Sequence, residues 1–220
     1  MTPDLERVSN FLPSKIDNFL WEKRLGISTR GIVDTFPEVT VNYNYMTLSY
    51  RDNIRILKAV NLTRDDVFVD IGCGKGRMLC CSALCDVREA IGIEQSPELC
   101  AIARSNAARL RGRKAPITII QSRAQEFDYR EGTVFYLYNP FDQSVLGEVL
   151  DRLRSSLDEA RRPIRIAYAR PDHEDTLEAC SWLEKTDCWL SGRGTTAVGV
   201  SFWKSRLPVP VHSGGMSRTR

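Results

Sequence analysis

The spacing of apolar positions changes once along this chain. Up to about residue 60 apolar side chains recur at helical intervals. From Val67 onward, short apolar runs alternate with amphipathic stretches. In the first part Val8, Leu12, Ile16, Phe19 and Leu20 follow a helical spacing, interrupted by Pro13 at a boundary or first-turn position. The stretch Thr35 to Thr47 contains Pro37, β-branched residues and alternating Tyr43 and Tyr45, which predicts an extended segment or a loop. Ser49 is placed to cap a helix carrying Ile54, Ile56, Leu57 and Val60 that ends near Asn61.

The second part reads as repeated strand–helix units. Val67 to Ile71 is a short apolar strand, followed by a glycine-rich turn and a helix running through Met78, Leu79, Ala83 and Leu84. Ala90 to Glu94 is a second strand. Ser96-Pro97 then opens a helix with Leu99, Ile102, Ala103 and Leu110 inward. Ile117 to Ile120, Thr133 to Tyr138 and Ile164 to Tyr168 are three further strands, and Val145, Leu146, Val149, Leu150, Leu153 and Leu157 mark an amphipathic helix. Trp189-Leu190, a Gly192-Arg193-Gly194 turn and Val198 to Trp203 predict a closing hairpin or terminal antiparallel strand.

Alternating units of this kind predict an open, mostly parallel sheet with helices on both faces. The expected organisation is a helical N-terminal extension over 1–60, an α/β core over 61–205 and a disordered Ser/Gly/Arg-rich tail over 206–220.

Composition narrows the function classes only slightly. A net charge of +3 over 220 residues is weakly basic, with Lys and Arg interleaved with acids along most of the chain and no concentrated basic segment evident. Nucleic acid is therefore not the expected partner. The sequence shows no secretory leader and no apolar run long enough to span a bilayer, so a cytoplasmic protein with reduced thiols is expected. Cys81 and Cys85 have a metal-compatible spacing, but no second pair or nearby His completes a tetrahedral set. They are expected to be small buried residues, with no metal bound.

The chemistry concentrates after the first strand, where an open α/β sheet binds its ligands. Asp70-Ile71-Gly72-Cys73-Gly74-Lys75-Gly76 spells D-x-G-x-G-x-G, and Glu94 ends the second strand, where an acid can accept hydrogen bonds from a ribose. The dinucleotide pattern G-x-G-x-x-G is not met, because Arg77 stands where its third glycine belongs. That disfavours a nicotinamide-dependent oxidoreductase.

Asp70 to Gly76, together with Ile91-Gly92-Ile93-Glu94 and Ser96-Pro97, resembles the first two motifs of the class I, seven-stranded S-adenosylmethionine-dependent methyltransferases. The likeness runs from about Val67 to Trp203. It implies a Rossmann-like doubly wound α/β fold, with a mostly parallel seven-stranded sheet and a terminal antiparallel strand. S-adenosylmethionine is the implied cofactor. Gly72, Gly74 and Gly76 would wrap its methionine part, Asp70 would orient that loop or accept from the amino group, and Glu94 would hold the ribose. Where the family often has an acid near the adenine this chain has Arg123, with Gln125 and Glu126 as substitutes.

Asn139-Pro140-Phe141 after the fourth strand resembles the N/D-P-P-F/Y motif of methyltransferases acting on amide or exocyclic amino nitrogens, with one proline missing. The resemblance assigns these three residues to the methyl acceptor. The Asn139 oxygen would accept from the target amine, and Phe141 would pack on it. A turn ending the strand is the alternative reading, with Asp142 as a helix cap.

The layout of Tyr43, Tyr45 and Tyr50 before the core is similar to that of seven-strand-type histone lysine methyltransferases. Tyr45 is the candidate aromatic residue touching cofactor or substrate. His173, after the fifth strand, reads either as a base or as a surface residue. The expectation is N-methylation of a protein side chain or a small-molecule amine. A non-catalytic cofactor-binding module and a nucleic-acid methyltransferase are the alternatives. The acceptor and the oligomeric state are not readable from the sequence.

Overall fold

The computed structural model describes residues 14–30, 47–191 and 197–206. Its strands are β1 (Val67–Ile71), β2 (Glu89–Glu94), β3 (Ile117–Gln121), β4 (Val134–Tyr138), β5 (Arg165–Ala169), β6 (Leu183–Ser191) and β7 (Val198–Ser205). Its helices are α1 (Ser14–Leu25), α2 (Tyr50–Ala59), α3 (Arg77–Ser82), α4 (Pro97–Arg109), α5 (Gln143–Glu159) and α6 (Glu174–Glu178). The strands form one seven-stranded sheet in the order β3-β2-β1-β4-β5-β7-β6. β1 to β5 pair in parallel, whereas β7 lies antiparallel between β5 and β6. The expected doubly wound, mostly parallel sheet is therefore present.

Period-2 alternation sends each strand's side chains into two cores, which is why β1 is buried along its whole length. Phe68 joins Ile56 and Leu57 of α2, Leu79 of α3 and Tyr136 on one face. Val67, Val69 and Ile71 pack with Phe135 and with Leu146, Val149, Leu150 and Leu153 of α5 on the other. Each such fully buried aliphatic side chain stabilises the fold by about 1.5–3 kcal/mol.

Helix starts follow their caps. Ser49 Oγ accepts from the Asp52 N–H at 3.2 Å, Ser96 Oγ from Leu99 at 3.3 Å, and Asp142 Oδ1 from Val145 at 3.0 Å. Asp142 thus takes the capping role the sequence allowed it.

The first helix forms where its spacing predicts, but it is turned differently. Ile16, Phe19 and Leu20 are 48%, 44% and 43% exposed, and the buried side is Asp17, Trp21, Glu22 and Leu25. The two buried acids have distant partners that outweigh the apolar stripe: Arg51 lies 3.0 Å from Asp17, and Arg77 and Arg30 reach Glu22. Tyr50 belongs to the same buried layer. It is fully buried, stacked on Trp21 at 5.8 Å between ring centroids.

Cys80 and Cys81 are buried on α3 and Cys85 is half-buried just after it, and burial pushes the Cys80 thiol up to about 12. Among the described residues no helix is long and apolar enough to cross a membrane. Val8, Leu12, Tyr43, Tyr45, the Gly192-Arg193-Gly194 turn and residues 207–220 of the expected tail lie outside the described residues.

Candidate functional site

β1 and β2 deliver the glycine turn and Glu94 to the same sheet edge. Ile71 pairs with Ile93, and the N–H groups of Gly72 and Cys73 both donate to the Ile93 carbonyl at 2.9 Å. Gly72, Gly74 and Gly76 all adopt positive φ, at 77°, 52° and 79°, a region that costs other L-residues about 1–2 kcal/mol. At Gly72 the need for glycine is also steric, because an added Cβ would sit 2.8 Å from Pro140 Cβ. The glycine turn and the Asn139-Pro140 turn are therefore in contact across the strand ends. At Gly92 a Cβ would meet Cys73 Sγ at 2.7 Å, so that glycine lets the turn fold back over β2.

Glu94 is nearly buried. Its Oε2 accepts from the Gly74 N–H at 3.0 Å and its Oε1 from the Ser96 N–H at 2.9 Å. Burial raises its pKa, while the backbone N–H groups of Ser96, Gly74 and Gln95 pull it down. A carboxylate has about four acceptor sites, so beyond these backbone donors Glu94 retains capacity for a further hydroxyl. A ribose hydroxyl supplies such a donor. This, with the glycine cradle, is the fit the sequence anticipates for the ribose and methionine parts of S-adenosylmethionine.

Asp70 is 4% exposed beneath the turn. Burial, reinforced by the charge of Glu94, pushes its carboxyl up to about 8, against the opposing N–H of Leu79.

The turn is secured from the N-terminal side by contacts the sequence did not disclose. Arg77 is buried and donates from Nε to Thr29 Oγ1 at 2.7 Å, from Nη1 to the Leu48 carbonyl at 2.9 Å and from Nη2 to Glu22 Oε1 at 3.4 Å. Its guanidinium lies over the Tyr50 ring, 4.7 Å from the centroid. Thr29 Oγ1 donates to Glu22 at 2.7 Å, so the Tyr50 hydroxyl, 3.2 Å away, is the donor to Thr29. Lys75 Nζ donates to the Arg30 carbonyl at 2.8 Å, and Asn106 Nδ2 bridges the carbonyls of Ser28 and Lys75 at 2.9 Å. Residues 25–30 thus run as a strap from α4 to the glycine turn.

The second cluster forms at the ends of β4 and β5. Tyr138 pairs with Ala169, and the next residue on each strand, Asn139 (φ 36°) and Arg170 (φ 50°), is left-handed. Two adjacent non-glycine residues in this region are an observed strain, of the kind that gathers at functional sites. Asn139 Oδ1 accepts from Tyr168 Oη and its Nδ2 donates to Asp172 Oδ2, both at 2.8 Å. Arg170 Nε lies 3.2 Å from the same Asp172 oxygen. Burial pushes the Tyr168 hydroxyl up to about 12, so it stays protonated and able to donate. Phe141 is half-buried against the α5 core. His173 stands at the same rim, with its backbone N–H at the Tyr168 oxygen.

Of the candidates, then, Asp70, Gly72, Gly74, Gly76 and Glu94 converge on one edge, with Pro140 against Gly72 and Asn139 beside it. Tyr45 lies outside the described residues. Arg123 is exposed and pairs with Glu126 at 3.6 Å, so those two side chains engage each other. Lys75, Arg77, Tyr168 and Asp172 were missed. Only the odd residue at the third glycine position hinted at Arg77.

Known proteins similar to this chain share its fold. Residues 38–132 match the family model described as Histone methylation protein DOT1. A Protein-lysine N-methyltransferase of Saccharolobus islandicus (strain REY15A) is 27% identical over 110 residues, which is 50% of this chain and 64% of that protein. The chain thus matches less than two thirds of that curated relative.

Among solved structures, an RNA methyltransferase from Salinibacter ruber in complex with S-adenosyl-L-homocysteine superposes with a TM-score of 0.56 at 24% identity, over 76% of this chain and 97% of the other. A SAM-dependent methyltransferase from Aquifex aeolicus gives 0.56 at 12% identity, over 70% and 90%. TrmN from Thermus thermophilus gives 0.57 at 14% identity, over 72% and 49%. These likenesses concern the fold. The matched stretch of the methylation family, however, contains the glycine turn and Glu94 themselves. Motif, family model and fold thus converge in supporting a class I S-adenosylmethionine-dependent methyltransferase, with S-adenosylmethionine as the supported cofactor.

Proposed function

We propose that the protein transfers a methyl group from S-adenosylmethionine to the side-chain amine of lysine in a protein. The supporting observation is that the stretch matched by the histone-methylation family model contains the glycine turn that builds the site, alongside the 27% identity over 110 residues to a protein-lysine methyltransferase. Glu94 and the glycine turn are assigned to the cofactor, with Asp70 beneath them setting the turn. Asn139, Pro140 and Phe141 are assigned to the acceptor.

When bound, the cofactor supplies a methyl group already activated on a sulfonium, so the protein's task is alignment and exclusion of water. Tyr168 and Asp172 fix the Asn139 amide from two sides, and its Oδ1 keeps one acceptor direction for an amine N–H. Pro140, packed on Gly72, sets the distance between the two turns.

The test is incubation with labelled S-adenosylmethionine and a mixture of cellular proteins, followed by amino-acid analysis of the labelled species. Methyl-lysine is expected. The Asn139-Pro140-Phe141 motif favours a second reading, methylation of an exocyclic amine on a nucleic-acid base. Label confined to RNA or DNA would replace the lysine assignment with that one.

A further inference from the structure

Basic residues are expected to be dispersed along the chain, and at one place they are not. Residues 99–125 contain six Lys or Arg and no Asp or Glu, leaving 25 basic against 28 acidic residues elsewhere. The net positive charge of the whole chain therefore resides in this stretch. Arg104 and Arg109 are exposed on α4, and Arg111, Arg113 and Lys114 are exposed on the loop that follows.

Lys23 and Arg24 at the end of α1 join them. The Arg111 N–H donates to the Leu25 carbonyl at 2.9 Å and its Nη1 to the Lys23 carbonyl at 3.4 Å. A Cβ added at Gly26 would lie 3.1 Å from the Arg109 carbonyl, so the two segments are in contact. Among the described residues none of these seven side chains forms an ion pair. The acids nearby are otherwise engaged: Glu22 is buried against Arg77 and Arg30, Glu89 accepts from the Thr118 hydroxyl, and Asp86 faces Arg64.

We propose that this face docks the phosphate backbone of a nucleic acid, beyond the cofactor site and separate from it. Clustered, unpaired cations on one side of a fold are the electrostatic footprint of such binding. Five of the seven are arginines, whose planar fork matches phosphate oxygens. Between Arg104 and Lys114 the large apolar side chain, Leu110, is buried, so the α4 part of the face lacks the apolar centre that a protein interface needs. The exposed Phe19 and Leu20 lie one turn earlier on α1.

The 13-residue α4 begins beside Glu94 and ends in the patch, which places the two about 20 Å apart. The bound backbone would position the enzyme near an acceptor without entering the cleft. The strap of residues 25–30 joins the patch to the glycine turn.

Fluorescence anisotropy of the full chain, titrated into a labelled DNA duplex and a labelled RNA strand over a range of salt, tests this. Binding of one or both is expected, with a slope of log affinity against log salt of about −4, as for some four phosphate contacts. The double variant R113E/K114E, whose side chains make no hydrogen bond or ion pair among the described residues, is expected to bind at least about tenfold more weakly with a slope shallower by about two. Its affinity for S-adenosylmethionine and its turnover on a free peptide should be unchanged, which separates this surface from the methyl-transfer assignment. No binding of either probe at low salt would overturn the proposal, as would equal binding by the variant. Tighter binding of a polyglutamate peptide than of both nucleic acids would assign the face to an acidic protein instead.

Discussion

Arg77, the residue that closes the glycine turn, is held by Glu22, 55 positions earlier, at 3.4 Å with both side chains buried. Cofactor loop and N-terminal helix are thereby one structural unit. Removing Arg77 leaves Glu22 with Arg30 and Thr29 but takes a charged donor from Thr29, Leu48 and Glu22, a loss of about 1.5–3 kcal/mol. Arg77→Met is expected to destabilise the protein by that amount in urea unfolding. The double variant with Glu22→Gln should recover part of the loss. Strict additivity of the two substitutions would show that the pair is not coupled.

Asp70 gives the fold a pH dependence of definite sign. Below about pH 4, the usual carboxyl value, both folded and unfolded chains hold its proton. Between there and about 8 the folded state keeps a proton that the unfolded chain has released. Stability therefore falls as pH rises through that window. Asp70→Asn is expected to flatten this slope and to be the more stable protein at pH 8, by on the order of a few kcal/mol. Parallel stability profiles for the two proteins would remove Asp70 as the cause.

At the cofactor site, Glu94→Ala is expected to weaken S-adenosylmethionine binding by on the order of a hundredfold, as loss of hydrogen bonds to a charged group implies. Gly72→Ala should weaken it by tenfold or more through displacement of Pro140, with its Cβ also held at a positive φ. Calorimetric titration measures both. Wild-type affinity in Glu94→Ala would assign the ribose contact elsewhere.

If Asn139 holds the methyl acceptor as proposed, Tyr168 acts through it as a positioning residue. Tyr168→Phe keeps the ring in the α5 core and removes only the hydroxyl that fixes the Asn139 oxygen. A several-fold fall in kcat with cofactor affinity unchanged is expected. A matching loss of cofactor affinity would mark the residue as merely structural.

Most of the sheet was legible because parallel strands buried on both faces must be apolar throughout, and glycine, proline and serine punctuate them. The glycine turn and Glu94 were legible for the same local reason: strand, turn and acid lie within 28 residues, Val67 to Glu94. α1 was misleading because its buried face includes Asp17 and Glu22, whose partners Arg51 and Arg77 lie 34 and 55 residues away. No local period reveals that. β6 left little apolar trace, since most of its residues are solvent-facing at the sheet edge. The link from Tyr168 to Asn139 arises only when two parallel strands end at the same level. The basic face likewise depends on α1 and α4 meeting through Leu25 and Arg111.

The strand inserted between β5 and β6 sets an order of assembly. Because β5 pairs with β7 and not with its successor in the chain, its outer edge stays bare until residue 205 has been made. An exposed edge of Ile166 and Tyr168 is a template for another chain. A nascent or truncated protein ending at β6 would present that edge beside the Asn139 turn, so the synthesis of β7 is what covers the adhesive edge of an assembly intermediate.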